Sequence, residues 1–253
     1  MAHELYHTIL LMAAGINFLI AFVLLYNNIW YRYYGIYCRA RILVALCYVV
    51  FAAGFAMHAY LEWRTFWPAA ASTLSVSYFH VGAVLFGWSH TSLLRPDYLT
   101  RKIVVRDLTI LVAGLISYWA AVVSLPLYLF HFSFIIFFVH ASTIAFIFYY
   151  TYFQVRRNLM QMPADEKAPK WWTPETKRTV LSGHHSFVIS CHLIVLFGIG
   201  SIVVTAIFPH RITPYTVLLC LGIAVFCYIF YSLAEYGNVI DAATYATEDA
   251  EKQ

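Results

Sequence analysis

The chain has 253 residues, of which 62% are hydrophobic and only 11% are charged, with a formal net charge of +4. A soluble domain carries roughly 25% charged residues, so the charged residues here are too few to cover a soluble core. The positive charge lies between long apolar runs, which excludes a basic patch for nucleic acid. Composition and patterning together predict an all-α integral membrane protein.

Seven apolar segments are each long enough to cross a bilayer as a helix, which takes about 20 residues. They cover residues 6–30, 41–63, 70–94, 103–125, 127–153, 184–208 and 213–238. We therefore predict one seven-helix transmembrane domain over residues 1–240, followed by a short acidic tail at 241–253. The two halves of the sequence do not match, so no internal repeat divides this domain.

Positively charged residues mark every second connection between these segments. Of the 16 Lys and Arg residues, 13 lie in or beside the first, third and fifth connections. Cytoplasmic loops are enriched in Lys and Arg, so the N-terminus is predicted outside and the C-terminal tail in the cytoplasm. We expect a multipass protein of the plasma (inner) membrane, with the lipid bilayer as its main neighbour.

The third segment, residues 70–94, carries polar groups at helical spacing inside an apolar run. Lipid cannot satisfy the hydrogen bonds of such groups, so this polar stripe must face protein or water. The third segment is therefore predicted to be the inner helix of the bundle. The stripe contains Thr73, Ser77, His80, Gly87 and Thr91.

Histidines recur at membrane depth in several segments. With a helical rise of about 1.5 Å per residue, His80 and His140 are predicted near mid-membrane, and His192 somewhat closer to the cytoplasm. Such histidines suit a ligand-orienting or pH-responsive role, although they also serve packing through interhelical hydrogen bonds. The polar residues expected at a ligand site in the core are His80, Ser77, His140, His192, Asn17 and Tyr228.

Paired histidines also suggest haem b, which two histidines can bind from neighbouring helices. The candidate pairs are His80 with His140, and His58 with His131. Two stacked haems are not expected, because His80 and His90 lie on different sides of their helix. A catalytic zinc site at mid-membrane would lack a nearby carboxylate to act as a general base, and we predict no metal site.

The last helix narrows the choice of function in two ways. It contains no lysine, so retinal cannot bind there as a Schiff base, although the layout resembles that of microbial rhodopsins.

Acidic and polar residues recur at the cytoplasmic end of the last helix, close to the basic connections, which indicates either a switchable latch or a solvated helix end. The latch residues would be Glu235, Asn238, Arg95 and Arg106.

No catalytic set is recognised in the sequence, so an enzyme is not expected. The leading hypothesis is a sensor or receptor-like protein that binds a small, largely apolar ligand, or a proton, between the third, fifth, sixth and seventh helices. It would signal to a cytoplasmic partner. The alternatives are a haem b-binding redox protein and a transporter or channel for a small solute. Transport is disfavoured because no acidic residue is predicted at mid-membrane.

Overall fold

A computed structural model describes residues 2–28, 35–95, 97–161, 174–208 and 211–251, with no side chain described beyond Gly237. All the regular secondary structure in these ranges is helical. Three short elements join the longer helices: α3 (Trp63–Phe66), α6 (Leu127–Phe130) and a 3₁₀ turn (His131–Phe134). The longer helices are α1 (Ala2–Asn27), α2 (Gly35–Leu61), α4 (Pro68–Leu94), α5 (Arg101–Ser124), α7 (Ile135–Gln161), α8 (Pro174–Ile207) and α9 (Ile212–Glu251).

Each of these seven longer helices is long and apolar enough to span a membrane, which confirms the seven predicted segments. The boundaries differ where local chemistry decides them. Pro126 cannot continue α5, and α7 begins only at Ile135, after two short turns. Pro174 suits a first helical turn, so α8 begins well before residue 184. The last helix runs on to Glu251 through most of the predicted tail, and the orientation of the termini stays a prediction.

Helix α4, which is the third span, lies at the centre of the bundle as predicted. In its most apolar window 67% of the residues are buried, compared with 28–56% in the other six spans. A Cβ atom on Gly82 would lie 2.5 Å from the ring of Phe51 in α2, and one on Gly87 would collide with Ile144 of α7. Glycine at these two positions lets α2 and α7 approach α4 closely.

Two buried phenol groups fix α2 to α9. Tyr37 donates a hydrogen bond to the carbonyl of Leu233 at 2.8 Å, and Tyr48 donates to the carbonyl of Phe226 at 2.6 Å. The rings of Phe51 and Phe226 also pack across these two helices, with centroids 4.9 Å apart. These side-chain contacts join the second span to the last one, and α1 packs against both.

Candidate functional site

One face of α5 turns a carboxylate into the bundle. The buried residues of this helix are Asp107, Leu111, Gly114, Tyr118 and Ala121. Their spacing of three or four residues makes a single stripe along the helix. Asp107 is fully buried, whereas the side chain of Arg106 beside it is 44% exposed. The stripe thus carries both a carboxylate and a phenol on the face that packs against its neighbours.

Four buried side chains from three helices form a continuous hydrogen-bonded series, which we call the histidine chain. The hydroxyl of Tyr118 in α5 lies 2.9 Å from Nδ1 of His80 in α4. Nε2 of His80 lies 2.8 Å from Nδ1 of His140 in α7. Nε2 of His140 lies 3.3 Å from Oδ1 of Asp107, back in α5. The histidine chain therefore links α4, α5 and α7 through polar contacts inside an apolar bundle.

The carboxylate fixes the direction of each hydrogen bond in the histidine chain. An ionised Asp107 only accepts, so His140 donates from Nε2 and, as a neutral imidazole, accepts at Nδ1. His80 must then donate from Nε2 and accept at Nδ1, where the Tyr118 hydroxyl donates. Both histidines carry their proton on Nε2, an assignment that follows from the network. Because each neutral imidazole donates from one nitrogen and accepts at the other, reversing one hydrogen bond of the histidine chain requires the others to reverse.

Asp107 has two donors besides His140. Trp88 Nε1 donates to Oδ2 at 2.8 Å, and Arg106 Nε donates to Oδ1 at 2.8 Å. Arg106 Nη2 also lies 2.8 Å from Oδ1, which completes an ion pair. Tyr98 lies nearby in the connection between α4 and α5, where burial and then the Asp107 carboxylate raise the pKa of its phenol. Tyr98 therefore stays neutral. Both carboxylate oxygens are satisfied, which makes Asp107 a fixed acceptor at one end of the histidine chain.

The contact between His80 and His140 bears on haem and metal binding. A metal ion binds an imidazole nitrogen at about 2 Å, so an ion held between two such nitrogens separates them by about 4 Å. The observed separation of 2.8 Å is a direct hydrogen bond and does not fit a shared ion. His58 contacts Ser75 of α4, and His131 packs against neighbouring phenylalanines. Among the described residues, no three His, Cys, Asp or Glu side chains are grouped to hold a metal.

Two predicted core residues, Asn17 and Ser77, bond within their own helices. Asn17 is fully buried in α1 and donates to the carbonyl of Ala13 at 2.7 Å, rather than to a neighbouring helix. Ser77 donates to the carbonyl of Thr73 at 2.7 Å and borders a shallow groove between α2, α4 and α5. Short polar side chains often bond to the carbonyl one turn earlier. These local bonds leave both residues outside the histidine chain.

His192 and Tyr228 contact other neighbours. His192 is exposed on α8, where Nδ1 donates to the carbonyl of Val188 at 2.8 Å and the ring packs 5.0 Å from that of Tyr149. The ring of Tyr228 packs against Tyr231 of its own helix. The structure therefore joins His80 to His140 directly, and the described contacts of His192 and Tyr228 do not include that pair.

The predicted latch residues have different partners in the described part of the chain. Arg106 pairs with Asp107, and Glu235 accepts a hydrogen bond from the tyrosine one turn before it in α9. Arg95 is exposed just after the end of α4. The side chain of Asn238 lies outside the described residues. Arg106 therefore contacts Asp107, at the end of the histidine chain, and not Glu235.

An apolar cavity of about 170 Å³ lies beside the histidine chain, and we call it the aromatic cavity. Helices α4, α7 and α8 form its wall, with one phenylalanine each from α2 and α9. Phe138 and Ile199 on this wall are 51% and 44% exposed, so the cavity reaches the outer surface between α7 and α8. Its lining includes Phe51, Phe79, Phe137, Ala145, Phe197 and Phe226.

His90 places a buried polar atom on the wall of the aromatic cavity. Its Nδ1 lies 2.8 Å from Oγ of Ser89 and 3.1 Å from the carbonyl oxygen of Phe86. Its ring stacks on Phe187 with centroids 4.8 Å apart. Among the described residues Nε2 is buried without a hydrogen-bond partner, and an unmade bond of this kind costs about 1–3 kcal/mol. A ligand group that bonds to Nε2 would recover this energy.

Asp107, Tyr118 and Trp88 are site residues that the sequence-based prediction does not include. Asp107 lies near the start of its span, where a charged residue is ordinarily solvated. Its spacing to Gly114 and Tyr118 is the signal that could have placed it on the buried face of α5. No comparable signal pairs Trp88 with a carboxylate, because that contact joins two helices.

Comparison of the chain with protein-family models, curated proteins and solved structures finds no match in any of the three. A seven-helix architecture alone does not define a function, since one fold hosts many functions. The geometry of the histidine chain and the aromatic cavity is therefore the basis for a functional proposal.

Proposed function

We propose that this protein is a membrane sensor that binds a small, mostly apolar molecule in the aromatic cavity and responds through the histidine chain. The observation that carries the proposal is the position of Phe137. Its side chain lines the aromatic cavity, and its ring packs edge-on against the His80 ring with centroids 5.4 Å apart. A molecule in the cavity would therefore act on His80 through one aromatic ring.

A ligand shifts an equilibrium only if it interacts differently with the two states. The histidine chain has two self-consistent states. In one, both histidine protons are on Nε2 and Asp107 is ionised; in the reverse, both are on Nδ1 and Asp107 carries a proton that it donates to His140 Nε2, so the reversal takes up one proton. Phe137 packs on His80, and Ala141, which follows His140 in α7, also lines the cavity. Occupancy of the cavity would thus change the packing around both histidines and bias the direction of the chain.

The cavity's volume and wall favour a ligand with a single ring. An apolar cavity of about 150 Å³ holds benzene, and the aromatic cavity, at about 170 Å³, is similar in volume. Its phenylalanine-rich wall favours edge or offset contacts with another ring. His90 Nε2 would bond to one polar group of the ligand. Phenol combines these properties, and the opening between α7 and α8 would admit it from the lipid.

The output of the sensor is proposed at the end of the bundle where α5 begins. The distribution of Lys and Arg predicts that this end faces the cytoplasm. A change in the histidine chain would reach Asp107 and then Arg106, whose side chain is 44% exposed. A cytoplasmic partner would read the change at this surface.

Comparison of phenol with toluene tests the proposal, because the two molecules differ by a hydroxyl in place of a methyl group. The purified wild type is expected to bind both in detergent micelles, with phenol about threefold to tenfold tighter owing to its hydrogen bond to His90. In His90→Phe the preference for phenol should disappear while toluene still binds. Isothermal titration calorimetry measures both affinities.

His185→Phe is the control, since His185 is an exposed histidine of α8. It should keep the wild-type preference for phenol. Absence of binding of either molecule to the wild type would contradict the proposed ligand site. If His90→Phe still prefers phenol, the proposed hydrogen bond to His90 is wrong, but the ligand site itself is not contradicted.

A further inference from the structure

Arg64 is a buried charged residue at the end of the bundle where α1 begins. It lies in α3, between α2 and α4, and is only 4% exposed. The chain enters α3 through Glu62, whose φ of 47° is in the left-handed region that residues other than glycine rarely adopt. His3 of α1 contacts Thr65 of the same turn at 2.9 Å. This turn directs the Arg64 side chain into the bundle.

The hydrogen-bond acceptors found for the Arg64 guanidinium are neutral hydroxyls. Nη1 donates to Oγ of Ser72 and to the hydroxyl of Tyr215, each at 3.0 Å, while Nη2 donates to Oγ of Ser75 at 3.3 Å. The Tyr215 ring centroid lies 3.8 Å from the guanidinium carbon. Together with His58, these residues form a group that we call the arginine cluster.

The arginine cluster has a buried positive charge, and no opposite charge from the described part of the chain is in contact with it. No carboxylate of the described residues pairs with Arg64, and its Nε is buried without a hydrogen-bond partner. A charge that leaves water is strongly destabilising unless an opposite charge offsets it. A buried cation that still has a free hydrogen-bond donor is suited to bind an anion.

A small cavity borders the arginine cluster and limits the size of this anion. Its volume is about 20 Å³. One water-sized particle needs about 10–15 Å³, so the space suits a single small monatomic ion. Its polar lining includes His58, Arg64, Ser75, Ser201 and Tyr215.

His58 offers a second donor to the same cavity. Its Nε2 lies 2.9 Å from Oγ of Ser75, and its Nδ1 is buried with no hydrogen-bond partner in the described ranges. The Ser75 hydroxyl donates either to the carbonyl of Ala71, 3.0 Å away, or to His58 Nε2. In the second arrangement a neutral His58 carries its proton on Nδ1. Arg64 Nε and His58 Nδ1 are then both available as donors.

We propose that the arginine cluster binds one chloride ion, held by Nε of Arg64 and Nδ1 of His58. The ion neutralises Arg64 and stabilises the packing of α2, α3, α4 and α9 at this end of the bundle. The site is distinct from the aromatic cavity, although Phe79 and Phe197 line both, and it does not depend on the sensor function. Phenol binding is therefore expected with or without chloride.

Thermal unfolding of the purified full-length protein tests this site. Sodium chloride is compared with sodium gluconate at equal ionic strength, because gluconate is too large for the cavity. The wild-type Tm should rise with the logarithm of the chloride concentration, as for any ligand that binds only the folded state. Bromide should act similarly. In Arg64→Met the Tm should no longer depend on chloride.

Two further variants separate chloride binding from general effects on folding. Ser201→Leu fills the cavity while the hydroxyls that contact Arg64 remain, and it should weaken the apparent affinity for chloride by about tenfold or more. Arg211→Met removes an exposed arginine at the same end of the bundle and should respond as the wild type does. If the wild-type Tm ignores chloride, or if Ser201→Leu responds fully, the proposal is overturned.

Discussion

In Asp107→Asn, His80 and His140 are both expected to move their ring proton from Nε2 to Nδ1. An asparagine amide has one acceptor oxygen and one donor nitrogen, whereas the carboxylate has two acceptor oxygens. Trp88 Nε1 is a buried donor, so the amide oxygen should face Trp88 and the amide nitrogen should face His140. His140 must then accept at Nε2 and donate from Nδ1, and His80 follows because the two rings share one hydrogen bond.

Arg106 permits this reversal because its half-exposed side chain can bond to water instead. Nitrogen-15 NMR of histidine-labelled protein distinguishes a protonated ring nitrogen from an unprotonated one, and therefore reads the direction of the chain. Asp97→Asn, at an exposed position between α4 and α5, is the matched control and should leave both histidines unchanged. Protons that remain on Nε2 in Asp107→Asn would refute the fixed direction of the histidine chain.

Asp107 is also expected to contribute to the free energy of unfolding. Asp107→Leu leaves the buried Trp88 donor without an acceptor and removes the partner of His140, which together should lower the free energy of unfolding by about 2–4 kcal/mol. Asp107→Asn should cost less, because its amide still accepts from Trp88. Reversible unfolding in detergent gives both values. Equal costs for the two variants would mean that the hydrogen bonds of Asp107 contribute little.

Ala145→Phe is expected to abolish binding of phenol in the aromatic cavity. Ala145 lies on the cavity wall contributed by α7. A cavity of this volume holds only about one ring, so the added phenyl group takes the space of the ligand. We expect the affinity for phenol to fall by about tenfold or more, as measured by isothermal titration calorimetry. The variant should remain folded, since it fills space that is already present.

Thr143→Phe provides the matched control for this substitution. Thr143 belongs to the same helix, is exposed, and is not part of the cavity wall. It adds the same ring to the surface and should bind phenol as the wild type does. Equal affinities of Ala145→Phe and Thr143→Phe would place the phenol site elsewhere.

The spans and the central helix could be predicted because each depends on one segment at a time. A long apolar run is sufficient to indicate a span, and polar groups such as His80 must turn away from lipid wherever the neighbouring helices lie. The similar depth of His80 and His140 also follows from the helical rise. To predict the hydrogen bond between them, the rotation of α4 and α7 about their axes must also be known.

The remaining contacts depend on how helices rotate and which side chains fill the space between them. Hydropathy assigns Arg64 to a connection, but the left-handed turn at Glu62 directs it inward. A glycine in the sequence indicates close packing, yet a Cβ on Gly198 would meet nothing within 4 Å, whereas one on Gly82 would press on Phe51. Gly198 therefore helps to leave the aromatic cavity open, a property that no sequence pattern predicts.

Occupancy of the aromatic cavity is expected to change the histidine chain. The most direct measurement is the nitrogen-15 NMR spectrum of histidine-labelled protein with and without saturating phenol, with signals assigned from His80→Gln and His140→Gln. We predict that phenol shifts the ring signals of His80 and His140 in the wild type and leaves them unchanged in Ala145→Phe. Phenol binding established by calorimetry without any change in these two histidines would contradict the account.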